Sequence, residues 1–274
     1  MALMATPSPD IPLHFATLGA ESQPQIIFLH GFLGSGSDWL PIAQKLQERY
    51  CCVMVDLPGH GGSFIAPDFL MEGYFDRTVE ALACLVRQRP SRPYRLVGYS
   101  MGGRIALALL LRHPDLFSQA AIISASPGLR TEEERIARRA SDEGIARKIE
   151  RNFTGFIEAW YSQTLFSTLR NHPAYRAVER LRKINDPQNL ARALRLLGTG
   201  NQPSMWDALQ ENPLPVRFFA GEKDERYVEI ARQMVKLCLG SDCEILPRCG
   251  HALQLEEREL FVERLHHFFK QQEP

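Results

Sequence analysis

The sequence lacks the features that mark several special classes of protein. Its 32 basic and 32 acidic residues cancel to a formal net charge of zero, so no overall field would hold it to nucleic acid or to an anionic membrane. The longest strongly apolar run, residues 105–111, is far shorter than the ~20 residues that cross a bilayer. The first basic residue is Lys45. We therefore expect no secretory leader, no membrane insertion and a cytoplasmic location.

Cysteine is present but sparsely patterned. The six cysteines form no CxxC pair, and no histidine pair stands at zinc-finger distance from them. We interpret them as unbridged core or surface residues in a reducing compartment, and we expect no metal and no organic cofactor. No internal repeat or low-complexity tract occurs either. With 274 residues, 45% of them hydrophobic, the chain is long enough to bury a full core without disulfides.

Short apolar runs predict the fold class. Six of them predict strands at residues 26–29, 52–55, 96–97, 121–123, 216–219 and 244–246. The first three each end in a glycine-containing loop that leads into a helical pattern. Runs without polar alternation are typical of strands buried on both faces of a parallel sheet, whereas residues 13–18 alternate as an edge strand would. The pattern predicts an α/β protein with a mostly parallel, doubly wound sheet.

The stretch from residue 126 to residue 202 follows a different pattern. It is densely charged and contains no run typical of a strand. Apolar residues occur at the spacing of one helix face at Phe153, Phe156, Ile157, Trp160 and Tyr161. Prolines near its end mark the return to the sheet. We predict a core of residues 1–125 and 203–274, split by an inserted helical cap of residues 126–202.

A G-x-S-x-G pattern stands between a predicted strand and a predicted helix. It reads Gly98-Tyr99-Ser100-Met101-Gly102, and its context is typical of a nucleophile elbow, a tight turn that exposes the serine. The glycines remove side chains that would clash in the turn, and the helix N-terminus favours developing negative charge. Because five-residue patterns also occur by chance, an ordinary glycine-rich turn is the alternative.

A serine nucleophile or base needs a histidine, and the histidine needs an acid that orients it. In this architecture the chain order is serine, then Asp or Glu, then histidine. Asp224 and His251 each follow a predicted strand in that order. We therefore predict a catalytic triad of Ser100, Asp224 and His251, with Glu222 and Asp242 as alternatives for the acid.

The loop after the first predicted core strand is a candidate for part of the oxyanion hole. His30-Gly31-Phe32 follows the first core strand. Acyl or enolate chemistry needs two backbone N–H donors aimed at the oxyanion, and we predict that Phe32 and Met101 provide them. We interpret His30 as structural. The proline and glycine content of residues 56–63 favours a rigid turn over a ligand site.

Together these loops resemble a known family. The segments H-G-F-L-G-S, V-D-L-P-G-H-G-G-S, G-Y-S-M-G-G-R, G-E-K-D and R-C-G-H, in this order, resemble the α/β-hydrolase fold over nearly the whole chain. Residues 98–185 are similar, more narrowly, to the 2-succinyl-6-hydroxy-2,4-cyclohexadiene-1-carboxylate synthases of menaquinone and phylloquinone biosynthesis. Arg104, the segment E-R-I-A-R-R at 134–139, and E-A-W-Y at 158–161 with the following Leu165-Phe166 carry this narrower resemblance.

The resemblance implies a lyase that removes pyruvate from an enolpyruvyl substituent and leaves a cyclohexadiene. Ser100 would then act as a base on a ring-side proton, while the oxyanion hole holds the resulting enolate. The substrate would be a small tricarboxylate, for which guanidinium groups are good bidentate partners. The resemblance implies that Arg104, Arg138 and Arg182 clamp carboxylates and that Tyr99 and Trp160 line the pocket.

The residues themselves leave alternatives open. Arg104 opens a helix, where the dipole disfavours a cation, so we expect it to have a compensating role in a cleft outside the core. Arg138 lies in a charge run of the kind that usually forms a solvated face, and Arg180 or Lys183 could take the place of Arg182. Trp160 could be plain core. The rival functions are a serine hydrolase, either an esterase or a C–C bond hydrolase, and a non-catalytic receptor. We expect a monomer.

Overall fold

A mostly parallel sheet organises the molecule. The computed structural model describes residues 11–67, 72–89 and 93–271. Within these ranges the sheet has seven strands in the order β1-β3-β2-β4-β5-β6-β7, and only β1 is antiparallel to its neighbour. The strands are β1 (Phe15–Leu18), β2 (Gln25–Leu29), β3 (Cys51–Val55), β4 (Tyr94–Tyr99), β5 (Phe117–Ile123), β6 (Val216–Gly221) and β7 (Ser241–Leu246). The predicted α/β fold class with a mostly parallel sheet is confirmed, and β1 is an edge strand as predicted.

Helices follow the strands and fill the gap between β5 and β6. They are α1 (Leu40–Leu46), α2 (Tyr74–Arg87), α3 (Met101–Arg112), α4 (Glu132–Arg151), α5 (Phe153–Tyr161), α6 (Ser167–Arg170), α7 (Tyr175–Arg182), α8 (Pro187–Leu197), α9 (Glu225–Leu237), α10 (Leu253–Glu256) and α11 (Arg258–Lys270). None of these helices, over the ranges described, is long and apolar enough to cross a membrane.

The five central strands, β2 to β6, are buried on both faces, which explains why their sequences show no polar alternation. Neighbouring residues of β2 enter different apolar cores because successive side chains point to opposite faces. Ile27 packs in the core formed with α2, α3 and α9. Ile26 and Phe28 pack in the core formed with α1 and α11.

The cap segment, residues 126–202, is helical and has an apolar cluster of its own. Phe156, Ile157 and Tyr161 of α5 are buried in this cluster together with Leu33 from the loop after β2. The cap therefore rests on the loops that follow the core strands. Helix α4 begins at a capping box, in which the Thr131 hydroxyl accepts from the Glu134 N–H. The division at residues 126 and 202 stays a prediction.

The turn between β4 and α3 is tight and strained. Ser100 has a φ of 50°, a left-handed conformation that non-glycine residues adopt at a cost. Gly102 approaches strand β2 so closely that a Cβ there would lie 2.4 Å from the carbonyl oxygens of Leu29 and His30. At Gly98 a Cβ would lie 2.5 Å from the Gly102 oxygen. The two glycines are therefore required by contact as well as by turn geometry.

We predict that Gly102→Ala lowers the free energy of unfolding by ~1–3 kcal/mol, because its Cβ meets backbone atoms that cannot move aside. Gly144→Ala is the matched control. It lies within helix α4 with nothing within 4 Å of its Cβ position, and alanine there should raise stability by roughly 0.5–1 kcal/mol. Urea denaturation of both variants measures the difference. Equal stability of the two variants would contradict the close-approach argument.

Candidate active site

Loops at the carboxyl ends of β4, β6 and β7 bring the predicted triad together. His251 Nε2 lies 3.1 Å from Ser100 Oγ, and His251 Nδ1 lies 2.7 Å from Asp224 Oδ2. A carboxylate oxygen only accepts hydrogen bonds, so Nδ1 carries the proton and Nε2 can accept the one on Ser100. The arrangement has the order nucleophile, base and orienting acid.

The two alternative acids point elsewhere. Glu222 is exposed, and its carboxylate accepts from the backbone N–H of Arg248 at 3.0 Å. Asp242 accepts from Arg217 Nε and Nη2 at 2.7 Å each. Of the three candidates, only Asp224 reaches His251.

Aromatic rings enclose the imidazole of His251. Their centroids lie 4.7 Å from the imidazole centroid for Tyr227, 5.5 Å for Tyr99 and 5.8 Å for Phe166. His251 and Asp224 are buried, whereas Ser100 is partly exposed to the cavity above it. Water therefore has little access to the imidazole except through that cavity.

Phe32 and Met101 both line the cavity at the serine. Met101 is the first residue of α3, and the first N–H groups of a helix have no acceptor within it. The Phe32 ring packs edge-on against Trp160 of the cap, with 5.5 Å between centroids. Their position fits an oxyanion hole, and that role stays a prediction.

Two buried histidines hold the loop that carries Phe32. His30 Nδ1 lies 2.8 Å from the Gly31 oxygen, so it donates there, and His30 Nε2 accepts from the Leu57 N–H at 2.9 Å. His60 Nε2 likewise accepts from the Leu33 N–H at 3.3 Å. Both rings are therefore neutral in the fold, and burial lowers the pKa of His30 to about 4 and that of His60 to about 3. This supports the structural interpretation of His30.

A cavity of about 450 Å³ lies between the triad and the cap. Of the residues predicted to form the site, Asp224 alone is absent from its wall, since it stands behind His251. The predicted residues in the wall are Phe32, Tyr99, Ser100, Met101, Arg104, Arg138, Trp160, Arg182 and His251.

The cavity wall is strongly cationic. It includes four arginines, Arg104, Arg138, Arg182 and Arg226, and its only acidic residue among those described is Asp38. In a chain of zero net charge, such an excess marks a local site for anions.

Arg104 differs from our expectation, because it is buried and only 8% exposed. Its Nη1 donates to the Gln202 side-chain oxygen at 2.7 Å and its Nη2 to the Leu197 carbonyl at 2.9 Å. Both acceptors are neutral. Burial, together with repulsion from Arg138, lowers the pKa of Arg104 to about 10, so the group is still charged at neutral pH. Asp142, which is paired with Arg138, attracts the Arg104 guanidinium without a direct hydrogen bond to it. A buried cation whose hydrogen bonds go only to neutral acceptors is costly, and an anion in the cavity would offset that cost.

The other two predicted arginines already hold carboxylates. Arg138 Nε lies 2.7 Å from Asp142 Oδ1, and its side chain is 39% exposed. Arg182 is buried and grips Asp38 with both Nη atoms at 2.7 Å, while its Nε donates to the Tyr161 hydroxyl at 3.1 Å. A substrate carboxylate at Arg182 would compete with Asp38. Arg180 and Lys183, the alternatives, are absent from the cavity wall.

Sequence reasoning missed Asp38, Arg226 and Tyr227. The last two stand two and three positions after the triad acid, and this position was a signal for them. Asp38 lies 144 positions from Arg182, and no local sequence pattern predicts that the two side chains pair.

Comparisons with known proteins show the family to which this fold belongs. The family model described as "alpha/beta hydrolase fold" matches residues 24–258, so the class of protein is that of the α/β hydrolases. An Escherichia coli O1:K1 relative named 2-succinyl-6-hydroxy-2,4-cyclohexadiene-1-carboxylate synthase is 30% identical over 85% of this chain and 88% of its own length. The structure of MenH from S. aureus matches with a TM-score of 0.88 and 29% identity, over 94% of this chain and 98% of that one.

A plant relative is much longer. The protein PHYLLO, chloroplastic, of Arabidopsis thaliana is 36% identical over 84% of this chain, which corresponds to 14% of the plant protein. From the match over nearly the full length of the bacterial relative, the chain belongs to the 2-succinyl-6-hydroxy-2,4-cyclohexadiene-1-carboxylate synthase family of α/β hydrolases.

The neutral histidines predict a pH dependence of stability. Since the pKa values of His30 and His60 lie below the ordinary 6.5 of the unfolded chain, the unfolded state binds more protons. Stability should therefore rise with pH between about 4 and 6.5, by up to ~1.4 kcal/mol per pH unit for each histidine. Chemical denaturation across this range measures the slope.

His60→Gln should lose its share of this slope. The matched control is His267→Gln, since His267 is exposed on α11, and that variant should keep the slope. If both variants follow the unmodified protein, the acid sensitivity arises elsewhere.

Proposed function

We propose that the chain is a lyase that eliminates pyruvate from 2-succinyl-5-enolpyruvyl-6-hydroxy-3-cyclohexene-1-carboxylate and releases 2-succinyl-6-hydroxy-2,4-cyclohexadiene-1-carboxylate. Membership of the synthase family supports this assignment. The observation that carries it is the buried Arg104 guanidinium, which faces the cavity with only neutral acceptors. A trianionic substrate would bring the missing negative charge, and charge-assisted bonds to a guanidinium are among the stronger hydrogen bonds.

The reaction needs a base and a stabilised enolate. The proton removed is on ring carbon 2, where the adjacent succinyl ketone acidifies it. Ser100 passes its proton to His251 Nε2 and takes the ring proton. The electron pair left behind forms the bond between carbons 2 and 3, the existing double bond shifts to carbons 4 and 5, and the bond from carbon 5 to the enolpyruvyl oxygen breaks. One proton is removed and one returns to the leaving group, so water is not consumed.

The remaining residues serve this step electrostatically. In the enolate, negative charge develops on the ketone oxygen, where the N–H groups of Phe32 and Met101 would donate to it. Asp224 holds the His251 tautomer that can accept from Ser100 and stabilises the imidazolium that forms. Tyr99 and Trp160 line the pocket beside the ring, and Arg104 and Arg138 bind carboxylates.

A serine hydrolase on the same triad is the rival function. An esterase or a C–C bond hydrolase needs the triad and the oxyanion hole, but it gives no task to the arginines of the cavity wall. The assembled triad likewise argues against a non-catalytic receptor. The elimination therefore accounts for more of the site than either alternative.

Two expectations about the setting stay predictions. We place the protein in the cytoplasm, and the free thiols of all six cysteines fit a reducing compartment. We also expect it to act as a monomer on a small tricarboxylate.

Incubation with the enolpyruvyl substrate tests the function. We expect pyruvate and the absorbance of the conjugated diene to appear in equal amounts. Hydrolysis of the ether would instead release pyruvate without the diene. Ser100→Ala, Asp224→Ala and His251→Ala should each lower kcat by on the order of 10³-fold or more, with little further loss in double variants because the triad acts as a unit. An ordinary activated ester turned over with a kcat/KM near ~10⁵ M⁻¹s⁻¹, without diene formation, would favour the hydrolase.

The Arg104 clamp is testable separately. Arg104→Ala should lower kcat/KM for the trianionic substrate roughly 10- to 150-fold, the equivalent of one charge-assisted contact of ~1.5–3 kcal/mol. Lysine should restore only part of this, because a point charge lacks the guanidinium fork. Arg138→Ala should behave similarly, whereas Arg147→Ala, an exposed position on the same helix, should change nothing.

Basal activity towards a small neutral ester serves as the internal control. Since Arg104 is buried, thermal denaturation of each variant must accompany the kinetics. Equal loss of ester and trianion turnover would mean that the arginines are structural.

A further inference from the structure

The four arginines of the cavity fall into two groups. Arg182 lies beside Tyr161 and Asp38, which occupy its Nε and both of its terminal nitrogens. The other three, Arg104, Arg138 and Arg226, are grouped around Tyr227, whose pKa is raised by burial while all three cations oppose that rise. One end of the cavity is therefore neutralised internally, and the other carries the excess positive charge.

Within that second group, Arg226 is the unpaired member. Its side chain is exposed and lines the cavity. Across the described ranges it makes no hydrogen bond and no salt bridge, and its guanidinium carbon lies 6.0 Å from the centroid of the Tyr227 ring. By contrast, Arg138 holds Asp142 and Arg104 holds two neutral acceptors. The five N–H donors of Arg226 are free for a ligand.

The position of Arg226 on its helix points the same way. It is the second residue of α9, where the helix dipole disfavours a cation and favours an anion. Arg104 lies in the first turn of α3, where the helix dipole disfavours a cation in the same way. A carboxylate bound at each of these two arginines would offset the unfavourable interaction of that arginine with its helix dipole.

The position of the triad determines which part of the substrate can reach Arg226. Tyr227 follows Arg226 and packs on His251 with 4.7 Å between ring centroids. The succinyl ketone must lie at Ser100 and the oxyanion donors during proton removal. The flexible chain beyond that ketone ends in a carboxylate, and it would enter the cavity beside His251, where Arg226 lies in the wall next to Tyr227. The other two carboxylates are attached close to the reacting ring.

We propose that Arg226 binds the terminal carboxylate of the succinyl chain and is a specificity-determining residue of this site. This inference rests on the proposed function, because that function supplies the three carboxylates. It assigns two of them to Arg104 and Arg138 and the third to Arg226, while Arg182 stays paired with Asp38.

The test compares Arg226→Gln with Arg232→Gln. Both arginines are exposed on α9, but Arg232 is outside the cavity wall, so each variant loses one charge from the same helix. We expect Arg226→Gln to raise KM for the trianionic substrate about 10-fold, the lower end for a charged contact at a partly exposed site. Its kcat should change less than about 2-fold, and Arg226→Lys should recover part of KM. Arg232→Gln should match the unmodified enzyme.

A substrate analogue with the succinyl carboxylate as its methyl ester identifies the carboxylate. The unmodified enzyme should show a higher KM for this ester, and Arg226→Gln should then cause no further increase. Equal kinetics of the two glutamine variants on the trianion would overturn the inference, as would an equal loss with the trianion and the methyl ester. If the unmodified protein forms no diene at all, the proposed function itself fails.

Discussion

The close approach of helix α3 to strand β2 is the contact on which the site depends. At Gly102 the helix backbone comes so near the carbonyls of Leu29 and His30 that no side chain fits between them. Next to this contact Ser100 adopts a positive φ of 50°, and Met101 lies in the same cavity wall as Phe32. Nucleophile and both predicted oxyanion donors are thus positioned by backbone packing, whose geometry is far stiffer than that of side chains on loops.

The site keeps two buried histidines neutral and a buried arginine charged. Beside the loop that carries Phe32, His30 and His60 are held neutral, since each ring nitrogen that accepts a backbone N–H cannot also carry a proton. In the cavity wall, Arg104 is buried as a cation whose hydrogen bonds, among the described residues, go to two neutral acceptors. The protein therefore excludes positive charge where it would disturb the loop and concentrates it where an anionic ligand can neutralise it. A generic esterase site has no need of this separation.

Much of the fold was predictable because strands buried on both faces are apolar throughout, as at Ile26 and Ile27. Predicted strands were mostly too short. The prediction for β4 covered two residues, whereas the strand also includes Tyr94 and Arg95. Both side chains have polar ends, and the Arg95 guanidinium packs over the Tyr50 ring. The triad was predictable for a different reason: each member follows a strand, and the carboxyl ends of parallel strands meet at one edge.

The sequence by itself was enough to predict the order of the site loops along the chain, the elbow at Ser100, and Asp224 and His251 as the partners of Ser100. These predictions depend on local patterns of a few residues. Only the tertiary structure decided which arginines have partners. Arg182 pairs with Asp38 across 144 positions, and Arg104 is buried against Gln202. Arg226 has no hydrogen-bond or ion-pair partner among the residues that the structure describes. Two side chains pair only when packing brings their polar atoms to about 3 Å. The sequence around a charged residue does not show which distant residue will come that close.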